Sequence, residues 1–160
     1  MKRDIITAVC FFILISATAQ DQDVYNPAAD PQADIEEAML TAREDGKHIL
    51  LMIGGNWCPW CRKLNKFITT NSEVSDMLDS HYELVKVNYS KENKNKETLA
   101  KYGFPQRFGF PVLVILDENG RRIHTQSTVC LEQDKGYNQK RVEEFLKNWR
   151  PEALAPSSYE

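Results

Sequence analysis

An apolar run, His48-Ile49-Leu50-Leu51-Met52-Ile53, stops at Gly54-Gly55, and Cys58-Pro59-Trp60-Cys61 follows almost at once. The run is too short for a helix that must stand alone and fits a buried strand. Over residues 58–68 the spacing changes: Leu64, Phe67 and Ile68 fall on one helical face, and Arg62, Lys63 and Lys66 on the other. Two cysteines three positions apart therefore sit where a buried strand hands over to an amphipathic helix. The rest of the chain must be built around that junction.

Ile35, Ala38, Met39 and Ala42 recur at helical spacing, with acids before them and Gly46 at the exit, which predicts a first helix from Asp34. After a polar break at residues 69–72, residues 73–78 read as a short helix. Residues 82–89 read as a second strand, alternating through Leu84-Val85-Lys86-Val87-Asn88. A charged loop follows at 91–96, then one or two helical turns at 97–102 ending on Gly103. Pro111-Val112-Leu113-Val114-Ile115-Leu116 is a third, buried strand. Asp117-Glu118-Asn119-Gly120 predicts a hairpin turn, with Asn119-Gly120 supplying positive backbone angles, into a fourth strand at 121–128. Residues 140–149 close the domain as a helix carrying Val142, Phe145, Leu146 and Trp149, stopped by Pro151.

The N-terminus has the layout of an export signal. Lys2 and Arg3 precede an apolar run at residues 5–17, and Ala17-Thr18-Ala19 offers small residues for cleavage between Ala19 and Gln20. The run falls short of the roughly 20 residues that span a bilayer as a helix, so removal is expected rather than permanent anchoring. Residues 20–33, polar and carrying two prolines, read as a flexible leader; residues 34–150 form one domain; residues 151–160 read as a disordered tail. Removing Lys2, Arg3 and Asp4 makes the product one unit more acidic than the formal net charge of −3. That mild acidity argues against a nucleic-acid surface. Cys10 lies in the discarded run, leaving Cys58, Cys61 and Cys130, a set unlike the even, dispersed frameworks of exported disulfide-stapled proteins.

A thiol attacks a disulfide only as thiolate, and a cysteine of pKa ~8.5 is mostly protonated near neutrality. Helix-start amides and the helix dipole stabilise an anion at Cys58, and Pro59 suits the first helical position because it lacks an N–H. Cys61, three positions on, returns to the same face, close enough for a disulfide to form and break. Cys58 is thus the candidate nucleophile and Cys61 the resolving thiol. Half a zinc site and an inert structural disulfide use the same spacing. No second Cys-x-x-Cys or His-x-x-His pair accompanies it, and His48, His81 and His124 are scattered singly, so no metal or other cofactor is expected.

Taken together, Trp57-Cys58-Pro59-Trp60-Cys61, Val85-Lys86-Val87-Asn88, Lys101-Tyr102-Gly103, Phe110-Pro111 and Asn119-Gly120, in that order over residues 34–150, resemble the thioredoxin superfamily, and more closely its exported bacterial thioredoxin-like members. The resemblance implies an α/β thioredoxin-like fold, a central mixed β-sheet flanked by helices. It implies a dithiol at one sheet end facing Pro111 as a cis-proline. Phe110 is then either a substrate contact or a rim hydrophobe, Trp57 shields the groove beside it, and Pro59 and Trp60 belong to the same substrate-facing surface.

Several residues depart from ordinary thioredoxin. Met52 stands where the family usually holds a buried acid that assists the second cysteine. Lys86, which matches that acid's partner, either favours thiolate on Cys61 from inside or is a solvated strand lysine. The Pro59-Trp60 dipeptide replaces Gly-Pro, and residues 104–109 lengthen the approach to Pro111. Cys130 follows the fourth strand, in the loop that borders the groove in related folds, and serves either to capture a mixed disulfide or link to a partner, or is a buried or idle thiol. The expected function is reduction of disulfides in exported, periplasmic or secreted client proteins, by a monomer re-reduced by a membrane-bound or soluble thiol donor. Oxidase or isomerase action and a non-catalytic binding module are the alternatives.

Overall fold

The computed structural model describes residues 23–160. The expected signal segment, its end at Ala19/Gln20, and Cys10 lie outside the described residues. Asp30 caps the first helix, α1 (Pro31–Asp45), by accepting the Gln32 N–H at 2.9 Å. The helix therefore begins three residues before Asp34, because cap and Pro31 together settle the first turn. Gly46, left-handed at φ 67°, ends it. Strand β1 (His48–Gly54) is buried along its whole length. Helices α2 (Pro59–Thr70) and α3 (Ser72–His81) are joined by Asn71, whose side chain caps α3 through the Val74 N–H. That cap starts α3 at Ser72, and the helix runs on to His81, past the expected 73–78 at both ends.

Strand β2 (Tyr82–Asn88), helix α4 (Lys96–Lys101), strands β3 (Val112–Leu116) and β4 (Arg122–Ser127), and helix α5 (Gln139–Trp149) follow near their expected places. The sheet order is β2-β1-β3-β4, with β1 parallel to β2 and antiparallel to β3, and β3 antiparallel to β4. The sheet is mixed and β1 lies inside it, which explains why that strand reads as continuous apolar residues instead of alternating ones. One core, with Leu50, Met52, Leu113 and Ile115, packs the sheet against α2, α3 and α5. The other, with Ile49, Leu51, Ile53, Val112 and Val114, packs it against α1 and α4. Among the described residues no helix is long and apolar enough to cross a membrane.

Three local readings change. Only Gly120 of the β3–β4 turn has a positive φ, at 76°. Asp117 accepts N–H groups from Asn119 and Arg121 on its carboxylate and from Gly120 on its carbonyl, so the expected four-residue turn closes around Asp117 without a positive φ at Asn119. The segment read as a flexible leader is pinned where it matters: Tyr25 is 1% exposed, and Asn56 accepts the Val24 and Tyr25 N–H groups at 2.9 Å and donates to the Tyr25 carbonyl at 2.8 Å. Residues 151–160 are not featureless, since they hold α6 (Pro151–Leu154) and a turn at Pro156–Ser158, tied back by Tyr159 Oη to the Ala153 carbonyl. A two-residue pair, β5 (Glu132–Gln133) and β6 (Gly136–Tyr137), had no counterpart in the sequence reading.

Candidate active site

Cys58 occupies the N-cap of α2, in extended backbone at φ −94°, and Pro59 begins the helix. Its Sγ accepts the Cys61 N–H at 3.2 Å, so an amide of the first turn already points at the sulfur. Cys58 and Cys61 are disulfide-bonded, with Cα atoms 5.2 Å apart. The pair is asymmetric. Cys61 is wholly buried while Cys58 keeps a small opening at 4% exposure, and both belong to the core between sheet and α2. A bond that exchanges with another protein must be approached from Cys58.

Trp57 directly precedes Cys58, and Phe110 packs against the core cluster that holds both cysteines. The Phe110–Pro111 peptide bond is cis and leads directly into β3. Trp57, 56% exposed, meets the Phe110 ring edge-on at 5.6 Å and donates its indole N–H to the Tyr89 carbonyl at 2.7 Å. Tyr89 in turn stacks on Phe110 at 4.7 Å. These three rings make a continuous apolar wall, extended by a hollow along Ser90, Lys91 and Lys94. Trp60 joins a different group: its ring meets Tyr137 of β6 edge-on, with the Lys63 ammonium 4.4 Å above it.

The turn Thr128–Leu131 closes the far side. Thr128 Oγ1 donates to the Pro111 carbonyl at 2.7 Å, and Leu131 packs in the core that holds both cysteines. Cys130, in that turn, is exposed and free rather than buried. Lys86 pairs with Met52 across β1 and β2, and partial burial pushes its ammonium pKa below the ordinary lysine range. Met52 is fully buried in the core cluster that also holds the dithiol. Among the described residues no group of three or more His, Cys, Asp or Glu side chains is placed to hold a metal ion.

Sequence reasoning missed four residues here: Tyr25, Asn56, Tyr89 and Thr128. Each acts through a partner distant in the chain, as in the Thr128–Pro111 bond, so spacing carried no sign of them. The lone apolar pair Val24-Tyr25 inside a polar stretch was the one available hint.

The geometry agrees with the proteins this chain is similar to. The sequence model of a family described as thioredoxin-like matches residues 30–118. A disulfide bond reductase, DsbH, of Chlamydia pneumoniae is 32% identical over 96 residues, 54% of this chain and 56% of that protein. The chain therefore spans about half the length of that curated relative. A disulphide isomerase structure from Xylella fastidiosa Temecula1 superposes with a TM-score of 0.69 at 26% identity, covering 78% of this chain and 95% of that one. A DsbH oxidoreductase structure superposes with a TM-score of 0.54 at 27% identity, over 70% of this chain and 78% of that one. With the family's sequence model matched over more than half the chain, and its sheet and dithiol in place, this protein belongs to the thioredoxin-like family.

Proposed function

We propose that the protein is a thiol–disulfide oxidoreductase that reduces disulfides of exported proteins through Cys58 and Cys61. The observation that carries this reading is the position of Cys58: its sulfur caps a helix, accepts a backbone N–H, and is the more open end of a bond to a buried second sulfur. In the reduced protein the same amide and the helix dipole favour thiolate on Cys58. That thiolate attacks one sulfur of a client disulfide, forming a mixed disulfide and releasing the other client sulfur as thiolate. Cys61 then attacks Cys58 Sγ. The Cys58–Cys61 bond forms, the bond to the client breaks, and the client leaves with two electrons and a proton for each thiol. The dithiol carries the electrons itself, so no other cofactor enters the cycle.

Trp57, Phe110 and Tyr89 offer the wall on which an apolar client segment lies, and the backbone at Phe110, before Pro111, offers its edge to an extended client strand. Pro59 and Trp60 shape the face that meets the client. A membrane-bound or soluble thiol donor restores the dithiol in an oxidising compartment. The signal-like residues 1–19 support a periplasmic or secreted location. The name of the Chlamydia relative supports reduction, whereas that of the Xylella structure favours isomerisation as a second reading. The couple's reduction potential separates the directions: a value near ~−270 mV marks a reductant and one near ~−120 mV an oxidant.

The purified protein is expected to reduce insulin-type disulfides with a small thiol donor, and Cys58→Ser to abolish that activity. Unchanged turnover in Cys58→Ser would falsify the mechanism.

A further inference from the structure

The buried half of the dithiol has a neighbour that the reaction described above does not use. Met52, in the same core cluster, brings no titratable group to Cys61. Tyr25 does. A Cβ placed on Gly54 would lie 2.5 Å from Cys61 Sγ and 2.8 Å from Tyr25 Oη, so sulfur and phenol oxygen converge on one point above a residue with no side chain to part them. Tyr25 is 1% exposed, and its hydroxyl is buried without a hydrogen-bond partner among the described residues. Folded chains rarely leave such a group unpaired. Its placement is held by Asn56, which binds the backbone of Val24 and Tyr25 on both N–H groups and one carbonyl.

We propose that the Tyr25 hydroxyl donates a hydrogen bond to the Cys61 thiolate once the Cys58–Cys61 bond is open, and thereby sets how fast Cys61 resolves a mixed disulfide. This deepens the dithiol reading and rests on it. In the oxidised form the hydroxyl makes no hydrogen bond among the described residues; a thiolate is a charged acceptor and takes up a donor beside it strongly. In the step itself, Cys61 sulfur contributes the electron pair of the new bond to Cys58, and the pair of the broken bond leaves on the client sulfur. The proton given up by Cys61 is balanced by the one the client thiolate takes up. Tyr25 keeps its own proton throughout: burial, with Tyr137 adding to it, pushes the phenol well above the ordinary tyrosine range. The other titratable groups at this spot are Cys58 across the disulfide, Tyr137 from β6, and Lys86 on β2 opposite Met52.

Tyr25→Phe keeps the ring and removes only the oxygen. With Cys58→Ser as background, the Cys61 thiol, followed by its Cβ carbon resonance, is expected to titrate about one pH unit higher when Tyr25 is Phe, which is ~10-fold less thiolate at a given pH. With both cysteines present, Tyr25→Phe is expected to leave the first attack by Cys58 on an aromatic disulfide unchanged, and to slow release from the mixed disulfide ~10-fold. A folded variant in which neither the titration nor the release moves overturns the proposal. Should Tyr25→Phe fail to fold, 3-fluorotyrosine at position 25 preserves the packing with a more acidic phenol, and must shift the Cys61 titration downward; no shift overturns the proposal equally. If the unaltered protein reduced no disulfide, the exchange reading would fall, while the Cys61 titration would still decide whether the hydrogen bond exists.

Discussion

Gly54 shows how much one missing side chain can do. It is the last residue of β1, and the space where its Cβ would stand is taken by the Cys61 sulfur and the Tyr25 hydroxyl. Neither atom ends a flexible chain free to swing away, since both residues are buried. Gly54→Ala is therefore expected to destabilise the oxidised protein by about 1–3 kcal/mol, the usual cost of overfilling a packed core, read as a lowered midpoint in urea. An unchanged midpoint would mean that the two side chains have room the geometry does not show. The glycine pair was legible in the sequence as the end of a strand. Its second purpose was not, because the need for space comes from Tyr25, which chain distance hides. Cys58 and Cys61 were legible for the opposite reason: their relation is local, three positions on one helix turn.

At the scale of elements, periodicity located the strands of the central sheet and the larger helices, since each buries one face or both against a layer. Ends were harder, because they depend on caps. Asp30 and Asn71 start α1 and α3 ahead of the residues that periodicity alone marks. The short β5–β6 pair escaped altogether, having too few residues to show any alternation. The segment around Tyr25 was misread as mobile because its attachment is a set of backbone bonds to one side chain, Asn56. Asn56→Ala removes all three bonds at once and is expected to cost about 1–3 kcal/mol. It should also make residues 23–30 more readily cut by protease under native conditions. Equal cutting rates in the two proteins would show that burial of Tyr25 alone holds the segment.

Across the described residues, several phenols are buried or half-buried and stay protonated. Tyr25, Tyr82 and Tyr137 are held well above the ordinary value of 10.0 mainly by desolvation, and Tyr102 is raised by the same cause. In the unfolded chain they ionise near pH 10. Folded protein then binds more protons than unfolded protein above that pH, so stability is fully present below about pH 10 and falls as pH climbs through the folded values. Unfolding midpoints in urea are expected to be level with respect to these groups up to about pH 10 and to drop steeply beyond, with ionisation of these four rings, each followed by its own ring resonance, appearing together with unfolding. Ionisation of any of the four in protein still folded would contradict the burial.

The C-terminal end of the chain gathers at the opposite pole of the sheet from the dithiol. His48, opening β1, has its Nδ1 2.8 Å from the Trp149 carbonyl, and His81, just before β2, reaches Glu152. By contrast, Val24 borders the same surface hollow as Pro59 and Arg62, next to the cysteines. The two ends of the described chain are therefore not equivalent as handles. A purification tag or fusion partner joined just ahead of Asp23 would emerge beside the reactive sulfur and compete with incoming protein, while one joined after Glu160 leaves from the pole that the chemistry never visits.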